Sequence, residues 1–440
     1  MSPLTQAPLG HAVLTGVAPF GGTPIDLVVR DGRIAELRPR GSADEPNRFD
    51  ADGLVLLPAF VDLHTHLREP GGEDAETIAT GTAAAAAGGY SDVFAMANCS
   101  PVTDSPERIR HVLDLAERTA SCRVHAVGAI TEGLAGHRLA PLEAMAAAGA
   151  RLFSDDGRCV DDPVLVRDAL ELTKRTGTVL AQHAQSGPLA GAGQINAGRA
   201  AERTGLPPWP ATGEETVVAR DIVLAADAGA PLHVCHVSTA RSVALVRWAK
   251  EQGWAVTAEV TPHHLLLTDG EAASADPKFK VNPPLRSPGD VRALRAALLD
   301  GTIDAVATDH APHPAEAKAA DWCGAPFGMT GLETALAVVS EVLHTSRGVD
   351  WALVADRMAH APARIGGIAA SAGRPIAVGE PATFTLVDPR ADWSVDPADT
   401  AGRSHNTPFG GLSFTHRPVA TVVAGAVTAD RGALFTRSAR

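Results

Sequence analysis

The chain is poor in lysine. Of its 38 basic residues only five are lysines (Lys174, Lys250, Lys278, Lys280 and Lys318), and none precedes residue 174. Cysteine is also scarce: Cys99, Cys122, Cys159, Cys235 and Cys323 are odd in number, scattered, and form no Cys-x-x-Cys pair. That pattern excludes a disulfide framework and a zinc knuckle, and leaves reduced residues used for packing. No clustered Lys/Arg run occurs and the net charge is -13, which argues against a nucleic-acid surface. No apolar stretch approaches the roughly 20 residues needed to span a bilayer, and the start, Met1 to Gln6, lacks a basic-then-apolar signal pattern. The expectation is a soluble cytoplasmic protein with neither a membrane nor a nucleic-acid partner.

What is present is ample core material. The 440 residues are 45% hydrophobic and 20% charged, a globular composition, and a decorated (β/α)8 barrel reaches this length. Both ends read as β structure: Ala12–Val17, Ile25–Arg30 and Arg33–Leu37 near the start, Ala382–Val387 and Val419–Ala424 near the end. Asp31-Gly32 between two of these strands is a strong hairpin signal. Residues 1–57 and 372–440 are therefore expected to meet in one small β domain. Between them, in residues 58–371, short apolar strands alternate with helical segments, the signature of repeated βα units. Strand candidates end near His66, Ala97, Ile130, Asp156, His183, Val237, Pro262 and Asp309, and helices are expected over 74–87, 163–175, 214–228, 240–251 and 290–299. Eight such units close a barrel.

The C-terminal strand ends of a barrel are where functional groups stand. An apolar run ends in His64-Thr65-His66, and the period of two in a strand puts both imidazoles on one side. Other strands end in Asn98, in Asp155-Asp156-Gly157, in His183, in His236 and in Asp309. Each alone has a structural reading as a turn, a helix cap or a satisfied core histidine. Four histidines and at least two aspartates at five equivalent strand ends have a simpler chemical one. Such nitrogen and carboxylate donors suit two Zn2+-like ions bridged by a carboxylate and a hydroxide. Arg68 lies two residues after His66, and a guanidinium beside a metal site suits an anionic, carboxylate-bearing substrate.

The stretch Asp62-Leu63-His64-Thr65-His66-Leu67-Arg68-Glu69-Pro70-Gly71 resembles the amidohydrolase superfamily, and its Leu-Arg-Glu-Pro-Gly extension looks like the dihydroorotases. Further matches are 96–101 (Met-Ala-Asn-Cys-Ser-Pro), 153–157 (Phe-Ser-Asp-Asp-Gly), 260–264 (Val-Thr-Pro-His-His), 281–286 (Val-Asn-Pro-Pro-Leu-Arg), 307–313 (Ala-Thr-Asp-His-Ala-Pro-His) and 326–334 (Pro-Phe-Gly-Met-Thr-Gly-Leu-Glu-Thr). They span nearly the whole chain in order. Many members of the superfamily bridge two metals with a carboxylated lysine at the end of strand four; here Lys174 is the first lysine and falls within an expected helix. The pattern is thus similar to the bacterial type I dihydroorotases, in which an aspartate of the Asp-Asp-Gly turn bridges. That resemblance assigns Asp156, with Asp155 as the alternative.

The resemblance further implies that His64, His66 and Asp309 hold one metal and His183 and His236 the other, with Asp156 shared. Arg68, Asn98 and Asn282 would bind the substrate's carboxylate and ring edges, with His66 lining the same pocket. His313 would add a polar contact and Phe327-Gly328 backbone groups. It implies a (β/α)8 barrel with a small β-sandwich domain, two Zn2+ or similar ions, and Asp309 as general acid/base in the reversible cyclisation of N-carbamoyl-L-aspartate to L-dihydroorotate. It leaves open a homo-oligomer and association with an aspartate transcarbamoylase. Three departures from the family pattern stand out: Cys99 replaces a usual Thr, Ala97 a frequent Pro, and Ala184-Gln185-Ser186 follows His183 where an acidic residue is common. The competing readings are a hydantoinase, dihydropyrimidinase or allantoinase on the same scaffold, and a non-catalytic relative acting in assembly. The segment 310–327, rich in Ala and Pro, reads as a mobile loop over the site.

Overall fold

The computed structural model describes residues 7–43, 45, 47–431, 434 and 435. The outermost ends of the expected small domain lie outside them. At the centre stand eight strands: β1 (Phe60–Thr65), β2 (Tyr90–Ala95), β3 (Arg123–Ala126), β4 (Leu152–Phe153), β5 (Val179–Gln182), β6 (Leu232–Val234), β7 (Val256–Val260) and β8 (Ala305–Val306). β1 to β3 pair in parallel, and so do β4 to β8. Parallel bridges Gly128–Phe153 and Thr65–His310 join the two sets, so the ring closes into a barrel. β1 and β2 are buried at every position, as expected of parallel strands covered by helices.

The helices form where their end signals dictate. Over Pro163–Thr176, Asp162 accepts a hydrogen bond from Val164 N, proline takes the first position and Gly177 ends the helix at φ 68°. Its buried residues Val166, Ala169, Leu170 and Thr173 follow the helical spacing of one face. Thr239 caps Ala240–Glu251 and a Ser287/Asp290 capping box starts Pro288–Asp300. The helix expected from residue 74 begins at Ile78. Thr77 and Thr80 form its capping box, and Glu69 accepts from Ile78 N at 2.8 Å, so residues 72–76 belong to the loop after β1.

A second sheet of nine strands is built from Ala7–Pro8, Ala12–Pro19, Ile25–Arg30, Arg33–Pro39, Asn47–Asp50, Val55–Pro58, Phe384–Asp388, Arg417–Val423 and Ala426–Asp430. The Asp31-Gly32 turn has φ of 50° and 73° at its two residues, the conformation of a tight hairpin. A side chain at residue 32 would meet Ala424 O at 2.6 Å, so glycine is required there. Leu14, Leu27, Phe49, Leu56, Phe384 and Val422 share one apolar cluster although their strands are not all neighbours, so the sheet bends over its own core. Val55–Pro58 passes through Ala59 straight into β1, tying sheet to barrel. Between the C-terminal strands the chain leaves the sheet: Val395, Phe409 and Phe414 pack with Ile195, Trp322 and Met329 in a cluster at the barrel. Among the described residues no helix is long and apolar enough to cross a membrane.

Candidate metal centre

Closure of the barrel brings the ends of β1, β4, β5, β6 and β8 to one rim, and six of the sequence-selected side chains converge there. Asp156 sits in the middle. One of its carboxylate oxygens lies 2.8 Å from His183 Nδ1, 3.2 Å from His236 Nε2 and 3.3 Å from His64 Nε2, and the other 3.3 Å from His66 Nε2. Asp309 Oδ1 lies 3.0 Å from His66 Nε2 and 3.6 Å from His64 Nε2. All six residues are buried. Donor atoms of His64, His66, Asp156 and Asp309 fall within 4.8 Å of one another, as do those of Asp156, His183 and His236, so Asp156 belongs to both sets.

The neighbouring Asp155 is spent elsewhere. Its carboxylate accepts from Ile130 N at 2.7 Å, from Thr131 N at 3.0 Å and from the Thr131 hydroxyl, which ties the end of β4 to the loop after β3. Of the two aspartates it is Asp156, not Asp155, that lies among the histidine donors.

Burial alone would raise the Asp156 carboxyl, but the imidazoles of His64, His183 and His236 outweigh it and hold the group well below the usual carboxylate range. Asp309 is likewise held low against burial, by the hydrogen bond from His66 and the charge of His64. Both carboxylates are therefore anionic donors. His64 Nε2 is buried, without a hydrogen-bond partner among the described residues, and faces Asp156 and Asp309. An orphaned ring nitrogen among carboxylates and further imidazoles is the donor set a divalent ion of zinc type takes, so the residues fit such a metal.

One group here was not found from sequence. Glu259, on β7, accepts from His64 Nδ1 at 2.9 Å and from His233 Nε2 at 3.0 Å, while His233 Nδ1 lies 2.9 Å from Thr257 Oγ1. Burial opposes its charge, yet the hydrogen bonds from His233 and His64 bring its pKa down to about 2. With Nδ1 of His64 turned to Glu259, Nε2 is the ring nitrogen that faces the cluster. His66 Nδ1 lies 2.9 Å from Asn98 Oδ1, which turns its Nε2 toward Asp309 and Asp156. Glu259 stands within a strand and has no motif of its own; pairing of β6 with β7 brings it to His233, and only closure of the barrel places it beside His64 on β1.

The backbone is bent to aim these groups. Arg68, His236 and Asp309 have φ of 60°, 32° and 47°, in the left-handed region that costs a non-glycine residue on the order of 1 kcal/mol or more. Asp62 steadies the seam beneath them: it accepts from His64 N at 3.0 Å, Thr308 N at 3.1 Å and Thr308 Oγ1 at 2.6 Å, joining β1 to the end of β8.

Of the residues expected at the substrate side, Arg68, Asn98, Asn282, His313 and Phe327 are partly exposed, whereas His66 and Gly328 are buried. Arg68 Nε donates to Pro312 O at 3.3 Å, and its guanidinium is 3.5 Å from His313 Nε2. His313 Nε2 donates to Phe327 O at 2.7 Å; burial and the Arg68 charge push its pKa down to about 3, so the ring is neutral. Asn282 lies 3.2 Å from His183 Nε2. Gly328 has φ 128°, and a Cβ there would meet Ala311 Cβ at 2.6 Å. Its N–H is already given to Lys280 O at 2.9 Å, and among the described residues the Phe327 N–H shows no partner. Asn406, from the C-terminal excursion, was also missed from sequence: it accepts from His313 N at 3.0 Å and donates to Ala311 O and Gly328 O. The segment 310–327 carries one short helix, Ala315–Lys318.

A family described as dihydro-orotase-like matches residues 53–242. The chain is 51% identical over 429 residues to the dihydroorotase of Streptomyces coelicolor, covering 97% of this chain and 100% of that one. It is 50% identical over 424 residues to the dihydroorotase of Mycobacterium tuberculosis, covering 96% and 98%. Among solved structures, L-hydantoinase (dihydropyrimidinase) from Arthrobacter aurescens shares the fold with a TM-score of 0.86 at 25% identity, over 96% of this chain and 97% of that one.

Exchange of Glu259 for glutamine keeps its shape but turns one arm from acceptor to donor. Glu259→Gln is expected to weaken divalent-metal affinity about 10- to 100-fold with the fold retained, as measured by chelator competition. Wild-type affinity in the variant would remove Glu259 from the centre.

Proposed function

The chain belongs to the dihydroorotase family, as cyclic amide hydrolases, and from that premise we propose how its own residues carry the reaction. The substrate pair is N-carbamoyl-L-aspartate and L-dihydroorotate, interconverted with loss or gain of water, in the cytoplasm, as a step of pyrimidine synthesis. His64, His66 and Asp309 hold one Zn2+-like ion, His183 and His236 the other, and Asp156 serves both. When bound, such ions lower the pKa of a water and polarise the amide carbonyl. The observation that carries this reading is the membership of Asp156 in both donor sets, with Arg68 fixed beside them.

The protein's part is positioning and proton transfer. Asp309 takes the proton of the attacking water in the hydrolytic direction and delivers it to the departing ring nitrogen; in cyclisation it moves the proton the other way. It is anionic when the step begins and so has a free oxygen lone pair for the proton. Arg68 grips the substrate carboxylate through two parallel hydrogen bonds, its stem held by Pro312 O. Asn98 and Asn282 meet the ring edges, neutral His313 adds a polar contact without adding charge, and Phe327-Gly328 offers backbone groups.

The hydantoinase reading draws on the shared fold. Against it stand a guanidinium at the rim, which an uncharged cyclic amide does not require, and the β4 end, where Ser154-Asp155-Asp156 offers no lysine. An assembly role without catalysis leaves the complete donor set without a purpose. Wild-type enzyme loaded with Zn2+ is expected to cyclise carbamoyl aspartate; turnover of hydantoin or dihydrouracil alone would contradict the proposal.

Two variants test the assigned roles. Arg68→Lys is expected to raise KM for carbamoyl aspartate about tenfold or more, because a point charge cannot reproduce a bidentate grip; an unchanged KM removes Arg68 from the site. Asp309→Asn is expected to lose roughly 10²- to 10⁴-fold in kcat while the fold is retained. Turnover near wild type would refute its role as the acid/base.

A further inference from the structure

Two of the five lysines, Lys280 and Lys318, stand under the segment that carries Phe327. Lys280 is one of the largest fully enclosed side chains of the protein, 2% exposed. Among the described residues its ammonium meets no carboxylate. It donates instead to three main-chain carbonyls, Trp322 O at 2.7 Å, Ala325 O at 2.6 Å and Cys323 O at 3.3 Å, and lies 4.2 Å from the centre of the Phe327 ring. Its own carbonyl accepts from Gly328 N at 2.9 Å. Lys318 adds a parallel tie, donating to Pro326 O at 3.1 Å and Lys280 O at 3.4 Å.

A buried ammonium is expensive unless its three donors are filled, and an irregular segment has carbonyls that would otherwise turn to water. Here each need meets the other. Residues 319–327 form no strand or helix, so a single cation reaching three of their carbonyls sets their path. The cage encloses the ring of Phe327 as well, which meets Trp209 edge-on at 5.4 Å on its other side. The consequence is local and directional: Phe327 O is presented to His313 Nε2, and His313 lies against the Arg68 guanidinium.

We propose that Lys280 is a positioning residue for the carboxylate-binding side of the site, acting through the segment 312–328. Its ammonium closes that segment over the rim, and its carbonyl, by accepting from Gly328 N, turns the Phe327–Gly328 peptide so that Phe327 O meets His313 Nε2. The inference rests on the proposed reaction for its kinetic consequence, and on the carbonyl cage alone for its structural one. Lysine is required because arginine's planar fork does not converge three donors on one point.

The test is Lys280→Met in the full-length, Zn2+-loaded enzyme, which keeps the length of the stem and removes the donors. Hydrogen exchange of amides 315–327 is expected to accelerate about tenfold or more while exchange at β1, β5 and β6 stays as in wild type. KM for carbamoyl aspartate is expected to rise about tenfold with kcat changed less than about threefold, a split that loss of the metal centre would not produce. Unchanged exchange in 315–327, exchange raised throughout the barrel, or a fall in kcat at unchanged KM overturns the proposal. Exchange is read without substrate, so an inactive wild type would defeat the proposed reaction and leave the cage to be judged on exchange. Should Lys280→Met fail to fold, competitive acetylation of wild-type enzyme reads the same cage: Lys280 is expected to react about tenfold more slowly than exposed Lys174 and Lys278, with KM rising only as Lys280 is modified. Equal rates, or a KM that rises before Lys280 reacts, overturn it.

Discussion

One carboxylate surrounded by imidazoles governs this molecule. Asp156 lies 2.8 to 3.3 Å from ring nitrogens of His64, His66, His183 and His236, in a site closed to water on most sides. A buried anion is tolerated only where positive charge or donors are supplied, and imidazoles whose lone pairs face one another are tolerated only where something electropositive takes them. Divalent ions satisfy both at once. The closed barrel follows from this need, because no local segment could bring donors from five separated strands to one point.

Holding that geometry is costly, and the cost is borne by surrounding structure. Left-handed backbone at Arg68, His236 and Asp309 turns side chains inward at strand ends where an extended chain would carry them past the site. Asp62 locks the β1–β8 seam immediately below His64 and Asp309, Glu259 orients His64, and Asn98 orients His66. Outside this rigid core the substrate side is built on less regular chain. Lys280, Lys318 and Asn406 hold it by bonds to main-chain groups, so its shape depends on a few donors and acceptors in place of a packed apolar layer.

Much of this was legible in the sequence, and the reason is periodicity. All eight barrel strands lie where short apolar runs predict them, each ending up to four residues earlier than expected, and His64 and His66 share a face because strand residues alternate. The scarcity of lysine was equally informative, since it turned attention to the aspartates at the end of β4. What sequence could not separate were neighbours with the same chemistry: Asp155 and Asp156 differ only in which way the turn after β4 aims them. Nor could it show Glu259, buried mid-strand, or Asn406, nearly a hundred residues from the His313 it supports, because both act through pairings that exist only after folding. The segment 310–327 read as mobile from its Ala and Pro content, and its bonds to Lys280 could not be read at all, because that residue lies outside it.

The claim on which everything else stands is that one aspartate serves two metal ions. Metal content after exhaustive dialysis, by inductively coupled plasma mass spectrometry on wild type and Asp156→Asn, addresses it directly. The account predicts about two ions per chain in the wild type and at most about one in the variant, with circular dichroism unchanged. Two retained ions in Asp156→Asn, or a wild type that never binds more than one, would contradict it.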